Sequence, residues 1–266
     1  GRLRYDGDFT YMMSANGPKR PMLLRFSEAD EGKSSSYRLL NLMFDPTRMR
    51  QRVAAEIYAN LQVPTATAHY VELNLSVEGT AVAPLGLYLA VPAVEGDLLR
   101  QFQLSEDSLL IQTNGLNSLN YQGENWGTYA VSLRLRRPAN LDEQKRILDF
   151  LRLIGKASDE EFQTGIESYL DVDSFLRYLA ATTITSNLTG FSTIGTNDLL
   201  CLDRKTKQFH VLASEMETSL GGAVLSGTPE QLAELDIRHP YAGNCLLVER
   251  ILKVEEYHAV YRKLLE

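Results

Sequence analysis

Residues Asn187 to Gly222 read NLTGFSTIGTNDLLCLDRKTKQFHVLASEMETSLGG, and their alternation of polar and apolar runs decides how the second half of the chain is built. A glycine-bearing loop leads into an apolar run from Asn197 to Leu202, a charged turn from Asp203 to Lys207, and a second run from Gln208 to Leu212. Two short apolar runs about a charged turn read as paired strands. The second run ends in the acidic element Glu215-Met216-Glu217, closed by Gly221-Gly222. Carboxylates at i and i+2 just past a buried strand can both address one hard divalent cation, and phosphoryl transfer uses such a cation. A hairpin ending in a solvated acidic turn explains the same spacing, because a lone E-x-E is weakly specific.

Upstream of this stretch the apolar period changes from two to about 3.6. Helices are predicted over Asp142 to Gly155, Asp159 to Tyr169 and Asp173 to Thr185, with Ile147, Phe150, Leu151 and Ile154 on one face of the first. Downstream, Pro229 to Leu235 and Leu246 to Leu265 read as helices with core-facing stripes. The first half reads differently. Residues 1–26 suggest a strand, a glycine-containing loop and a second strand after Pro21; Ser27 to Ser36 reads as a loop. Asp45-Pro46 marks a helix start, with Met49, Val53, Ala54 and Ile57 at helical spacing through Asn60. His69 to Val77, Leu85 to Val91 and Tyr129 to Leu135 read as strands. Leu98 to Gln103 reads as a short helix, and Gly115 to Gly127 as a loop around Trp126. Strands first and helices later, with a late hairpin, define an α+β fold.

The chain has 266 residues and is 44% hydrophobic, enough for a substantial core in one large domain or two lobes. Its net charge of −7 argues against nucleic acid as a partner, since phosphate neutralisation needs clustered Lys and Arg. No apolar run reaches membrane-spanning length. Cys201 and Cys245 lie in apolar surroundings and read as two reduced core thiols, although a disulfide between them cannot be judged from sequence. His69, His210, His239 and His258 have no ligand spacing, which disfavours a zinc site. Asn187-Leu-Thr189 is a glycosylation sequon, relevant only in a eukaryotic secretory setting.

The order of several motifs is similar to that of the CotH (spore coat protein H) kinase family. They include Arg4-Tyr-Asp-Gly7, Phe9-Thr-Tyr11, Lys19-Arg-Pro21, Asp45-Pro-Thr-Arg-Met-Arg50, Gly86-Leu-Tyr88 and Asp171-Val-Asp-Ser-Phe-Leu176. The series continues through Ser226-Gly-Thr-Pro-Glu-Gln231 and His239-Pro-Tyr-Ala-Gly243 to Leu247-Val-Glu-Arg-Ile251. The resemblance implies a two-lobed, kinase-like fold: an antiparallel β-rich lobe over residues 1–137, and a mainly helical lobe over 138–266 carrying the catalytic and metal-binding segment. Nucleotide would lie between them. It implies ATP with Mg²⁺ or Mn²⁺ as cofactors and Ser/Thr-type protein hydroxyls as acceptors. An exported or cell-envelope setting is compatible with it.

The departures from the family pattern fall on polar positions. Thr189 stands where the family has an aspartate after asparagine and a hydrophobe, and Ser214-Glu-Met-Glu217 stands for W-D-x-D. Leu23 falls where a lysine is usual, Pro92 where a glutamate is, and Asp8 where an asparagine is. On the resemblance, the nucleotide-binding candidates are Arg4, Gly7, Thr10 and Lys19, and the metal candidates are Asn197, Glu215 and Glu217. Each also has a plain structural reading, as a strand turn with exposed basic residues or a strand-start hydrogen-bonder. Thr189 marks the catalytic position, and its hydroxyl is no base near neutral pH. Three functions follow: a pseudokinase or strongly impaired phosphotransferase, an active atypical kinase using Glu215 and Glu217, or a structural and interaction domain of a larger exported protein.

Overall fold

The computed structural model describes residues 1–7, 9–14, 16–26, 35–79, 81–93, 99, 100, 102–113, 119–188, 190, 198–214, 216–223, 227–234, 236–241 and 245–266. Thr189, Asn197, Glu215 and Asp8 therefore lie outside the described residues, as does most of the Ser27 to Ser36 loop.

The first sheet is antiparallel, in the order β1-β2-β3-β5-β4. Its strands are β1 (Arg2–Tyr5), β2 (Met22–Phe26), β3 (Ser35–Leu40), β4 (His69–Leu75) and β5 (Ala83–Pro92). The opening hairpin and the two later strands thus share one sheet, as the short loops require. Between β1 and β2 the chain forms a short helix, α1 (Phe9–Met13), where a loop was expected. β3 begins inside the segment read as a loop; its sequence SSYRLL mixes polar and apolar residues on both faces, so no period announced it.

One face of this sheet carries Met22, Leu39, Leu85, Tyr88 and Ala90. The other buries Leu40, Leu89 and Val91 with Ala66 and Ala68. Phe102 packs on that second face and also on the layer of the second sheet containing Leu110, Leu199 and Cys201. The two sheets therefore meet through it.

The second sheet, also antiparallel, runs β7-β6-β8-β9, from β6 (Leu109–Thr113), β7 (Leu133–Leu135), β8 (Leu199–Leu202) and β9 (Phe209–Leu212). β6 pairs with β8 from Leu109↔Leu202 to Gln112↔Leu199, so this sheet joins strands from either side of residue 137. The strand expected from Tyr129 is shorter. Trp126–Ala130 forms a 3-10 turn capped by the Asn125 side chain, and Tyr129 is buried there, donating its hydroxyl to the Gly123 carbonyl.

Helices follow the sequence closely: α3 (Leu141–Lys156), α4 (Asp159–Tyr169) and α5 (Val172–Ile184). Asn140 with Glu143, and Ser158 with Glu161, form reciprocal capping boxes that satisfy the first backbone amides of α3 and α4. Helix α6 (Pro229–Ala233) is likewise boxed by Thr228 and Gln231. The long helix expected from Leu246 divides at Val254 into α7 (Leu246–Lys253) and α8 (Glu255–Leu265). Val254 is extended, with φ −77° and ψ 114°, a break made without Gly or Pro. The Arg250 guanidinium, on α7, donates to the carbonyls of Leu153, Ile154 and Ser158, so one cation occupies the carbonyl-rich end of α3.

Helix α2 (Arg50–Asn60) corrects two expectations. It starts at Arg50 rather than after Asp45, because residues 45–48 form a turn in which buried Asp45 accepts from the Thr47 N–H and hydroxyl and from the Arg50 N–H at 2.7 Å. Its buried face is Gln51, Ala54, Ala55 and Tyr58, not Val53 and Ile57. Ala54, Ala55 and Tyr58 belong to the large core built from α3, α4, α5, α7 and the second sheet. The helix thus serves the second half of the chain. Both cysteines are free thiols.

Candidate functional site

The Asn187–Gly222 stretch is held from beneath by α2 and α5. Tyr58 of α2 and Tyr178 of α5 pack edge to face, with centroids 6.2 Å apart. The Asn187 side chain is fully buried and donates to the Tyr58 hydroxyl at 3.2 Å, and Tyr58 shares a 2.9 Å bond with the Thr182 hydroxyl. Tyr178 donates to Asp198 Oδ2 at 2.5 Å, and the Ser214 N–H donates to Asp198 Oδ1 at 3.2 Å. Asp198 is 1% exposed. Burial raises both phenols well above their ordinary range, and the negative charge of Asp198 adds to this. They remain neutral donors. Gly190 sits against this pair: a β-carbon there would lie 2.7 Å from the Tyr178 hydroxyl and 3.0 Å from Asp198 Oδ2.

The acidic turn is braced separately. The Met216 N–H donates to Gln51 Oε1 at 2.6 Å, and Gln51 Nε2 donates to the Ser214 carbonyl at 3.4 Å. The turn closes through Ser219 N–H to the Met216 carbonyl and Leu220 N–H to the Thr185 carbonyl. Gly222 lies against Arg50: a β-carbon there would stand 3.0 Å from Arg50 Cδ. Glu217 is 6% exposed, so the plain reading of a solvated acidic turn does not hold for it. A buried carboxylate is an oxygen donor of the kind a hard divalent ion takes. Among the described residues no three His, Cys, Asp or Glu side chains gather as a metal-holding group, and Asn197 and Glu215 fall outside that set.

Of the nucleotide-binding candidates, Lys19 neighbours Arg48 of the segment that precedes α2. Gly7 has φ +84° and lies against the hydroxyl of Thr10 in α1. The Lys19 ammonium lies 5.4 Å from the centre of the Tyr88 ring, and its carbonyl accepts from buried Asn41. Burial lowers the Lys19 ammonium from its ordinary value, and the neighbouring charge of Arg48 lowers it further. Arg48 has φ +59°, and its carbonyl accepts from the Tyr70 hydroxyl. The segment 45–51 thus reaches Lys19 through Arg48 and the acidic turn through Arg50 and Gln51. Arg4 is elsewhere on the sheet, exposed on β1 and 3.8 Å from Asp6. Leu23, where a lysine was expected, is 5% exposed between Arg4 and Arg38.

Sequence reading named Asn197 and passed over its neighbour. Asp198 is the carboxylate on which Tyr178, the Ser214 N–H and Gly190 converge, and the signal available was an acid at the head of a wholly apolar strand.

An α+β chain with this late hairpin and acidic turn matches a known protein class. The family model described as CotH kinase protein matches residues 4–266, and the chain belongs to that family. Among curated proteins, inner spore coat protein H of Bacillus subtilis (strain 168) is 23% identical over 227 residues, which cover 84% of this chain and 59% of that protein. The chain therefore spans less than two thirds of the length of this relative.

Proposed function

We propose that this kinase-family domain keeps the scaffold of a phosphotransferase but is a pseudokinase or a strongly impaired enzyme. The observation that carries the reading is Thr189. In sequence it stands between buried Asn187 and Gly190, and it supplies a hydroxyl where a carboxylate would orient an attacking hydroxyl. Leu23 adds to this, since a buried leucine on β2 offers no cation to phosphate.

Nucleotide would lie between the two sheets, and a lobe boundary would fall after Pro92, the last residue of the first sheet. Asn197, Glu215 and Glu217 would hold Mg²⁺ or Mn²⁺, Lys19 would meet the phosphates, and Arg4, Gly7 and Thr10 would lie along the approach. A bound divalent ion would supply charge neutralisation at the phosphates. Within the chain, Gln51 fixes the turn at Met216, and Asp198 ties Tyr178 to the Ser214 backbone. Both glutamates are one methylene longer than aspartate, and a displacement of about 1 Å can cost on the order of a hundredfold in rate. The buried setting of Glu217 favours retained ligand binding over a purely structural role. The relative's name places that protein in a spore coat, and a coat or envelope setting with a protein partner is our reading for this chain too.

The test is incubation with labelled ATP and Mg²⁺ or Mn²⁺, beside a variant carrying Thr189→Asp, Glu215→Asp and Glu217→Asp. The unmodified chain is expected to transfer phosphate about 10²–10⁴-fold more slowly than the restored variant. Rapid metal-dependent phosphorylation by the unmodified chain, abolished by Glu217→Ala, would overturn the impaired reading.

A further inference from the structure

Strand β4 leaves the first sheet with an open edge. In the order β1-β2-β3-β5-β4 the outermost strands are β1 and β4, and among the described residues each pairs on one side. The two edges differ. β1 has four residues, RLRY, with an arginine at every second position, a short charged strand of the kind that resists edge-to-edge pairing. β4 has seven, HYVELNL, with no lysine, arginine, proline or glycine. Its ladder to β5 contains a bulge, but the extra residue is Leu85, since Leu73 pairs with Gly86 and Asn74 with Pro84. The irregularity therefore lies on β5 and leaves β4 regular. In the second sheet, β7 has three residues, and the free side of β9 is flanked by bridges to Leu170 and Thr65.

Val71, Leu73 and Leu75 point to the face that carries Met22, Leu39, Tyr88 and Ala90, and are only partly covered there. Tyr70, Glu72 and Asn74 alternate with them and are exposed on the other face. A regular, half-apolar edge of this length is an aggregation hazard unless something pairs with it. The strand fits its own sequence. Around a two-fold axis at Leu73, antiparallel pairing sets Leu73 opposite Leu73, Val71 opposite Leu75 and Tyr70 opposite Ser76 of the second copy. Glu72 then faces the Asn74 amide, twice. A two-fold at Glu72 instead sets two carboxylates face to face, which is destabilising. Sliding toward the start of the strand is blocked at Ala68, which is 1% exposed and whose carbonyl accepts from Arg52 at 3.3 Å.

We infer that β4 is a homodimer interface: two copies of this chain join β4 to β4, antiparallel about Leu73, so that their two first sheets become one. The apolar layer of β2, β3 and β5 then runs on across the join, and the edges left outermost are the arginine-bearing β1 strands. The occupant is a second copy rather than an unrelated segment because every pair from Tyr70 to Ser76 matches apolar with apolar or polar with polar. The interface uses none of the nucleotide or metal candidates, and stands whether or not the domain transfers phosphate.

Sedimentation equilibrium of the whole chain over a concentration series is expected to show a reversible monomer–dimer equilibrium. Asn74 is exposed, so changing it leaves the core of each copy intact. Asn74→Lys sets an ammonium opposite Glu72 at two symmetric places and should tighten the dimer about fivefold; Asn74→Glu sets a carboxylate there and should weaken it about as much. Gln163→Lys and Gln163→Glu, at an exposed position of α4, make the same changes of net charge and should leave the equilibrium where it was. Leu73→Cys should form an intermolecular disulfide on diamide treatment, since residues at the two-fold lie within about 5.5 Å. Leu75→Cys should not, because its two copies lie four positions apart along the paired strands. The unmodified chain, with Cys201 buried and Cys245 half-buried, sets the background. A monomer at every concentration, a dimer indifferent to charge at position 74, or equal cross-linking at positions 73 and 75 overturns the inference. A synthetic peptide of residues 69–77 should compete with dimer formation. A scrambled peptide that competes equally well would mean that the edge takes any extended strand, and overturns the second copy as its occupant.

Discussion

Gly190 illustrates how much of this protein rests on single atoms. Gly190 lies so close to the Tyr178 hydroxyl and Asp198 that only hydrogen fits at its α-carbon. Gly190→Ala is expected to destabilise the fold by about 1–3 kcal/mol, the usual cost of overpacking. Thermal melting of the variant checks this, and a melting temperature equal to that of the parent would mean the loop sits higher than described. A glycine two residues before Ser192 and Thr193 suggests only a turn from sequence, and its steric role depends on a tyrosine twelve residues upstream. The same limit hid Asp198. Its burial depends on Tyr178, brought beneath it by α5, and no local pattern carries that. Lys19, by contrast, was legible as a cation beside a glycine-bearing connection, although its neighbour Arg48 was not.

At the scale of elements, the β8–β9 turn is the clearest surprise. Asp203 to Lys207 reads as a charged turn, yet Asp203 is 2% exposed. Burial pushes its carboxyl up, but donors from the Ser105 and Thr206 backbone and the Thr206 hydroxyl outweigh this and hold it well below the usual carboxylate range. A carboxyl depressed in the fold binds fewer protons there than in the unfolded chain, so its contribution is complete above the unfolded value and fades as pH falls. The stabilisation is expected to decline as pH drops below about 4, and Asp203→Asn should flatten that part of the stability curve. Denaturant unfolding across pH 3–6 measures it; parallel curves for the two proteins would remove Asp203 from the account. Capped helices were legible almost to the residue, because Asn140, Ser158 and Thr228 announce their starts chemically. β3 and β6 were not, since their pairing partners alone make strands of SSYRLL and LLIQT.

Considered whole, the molecule is coupled through α2, which leaves the first sheet and enters the core of the second half. Gln51 is its most economical link, one fully buried amide side chain serving both Ser214 and Met216. Gln51→Ala removes the acceptor of the buried Met216 N–H, and a loss of about 1–3 kcal/mol is expected. Faster hydrogen exchange at the Met216 amide, with exchange in β4 and β5 unchanged, is the specific signature. Uniform acceleration across the chain would instead mean that the link holds the entire fold. The α+β class was legible because hydrophobic period switches from strand to helix along the chain. The way the halves interlock was not, because it is set by register and packing.

The pairing of β6 with β8 also governs how the chain can be made. During synthesis Leu109–Thr113 emerges well before its partner Leu199–Leu202, with α3, α4 and α5 translated in between. Until then β6 offers a bare apolar edge on its β8 side, the kind of surface that recruits other nascent chains. Contacts so distant in sequence also slow folding, because the intervening loop must close first. A ribosome pausing after α5 would therefore hold this protein at its most aggregation-prone length, and expression yield should respond to codon choice there more than anywhere else in the gene.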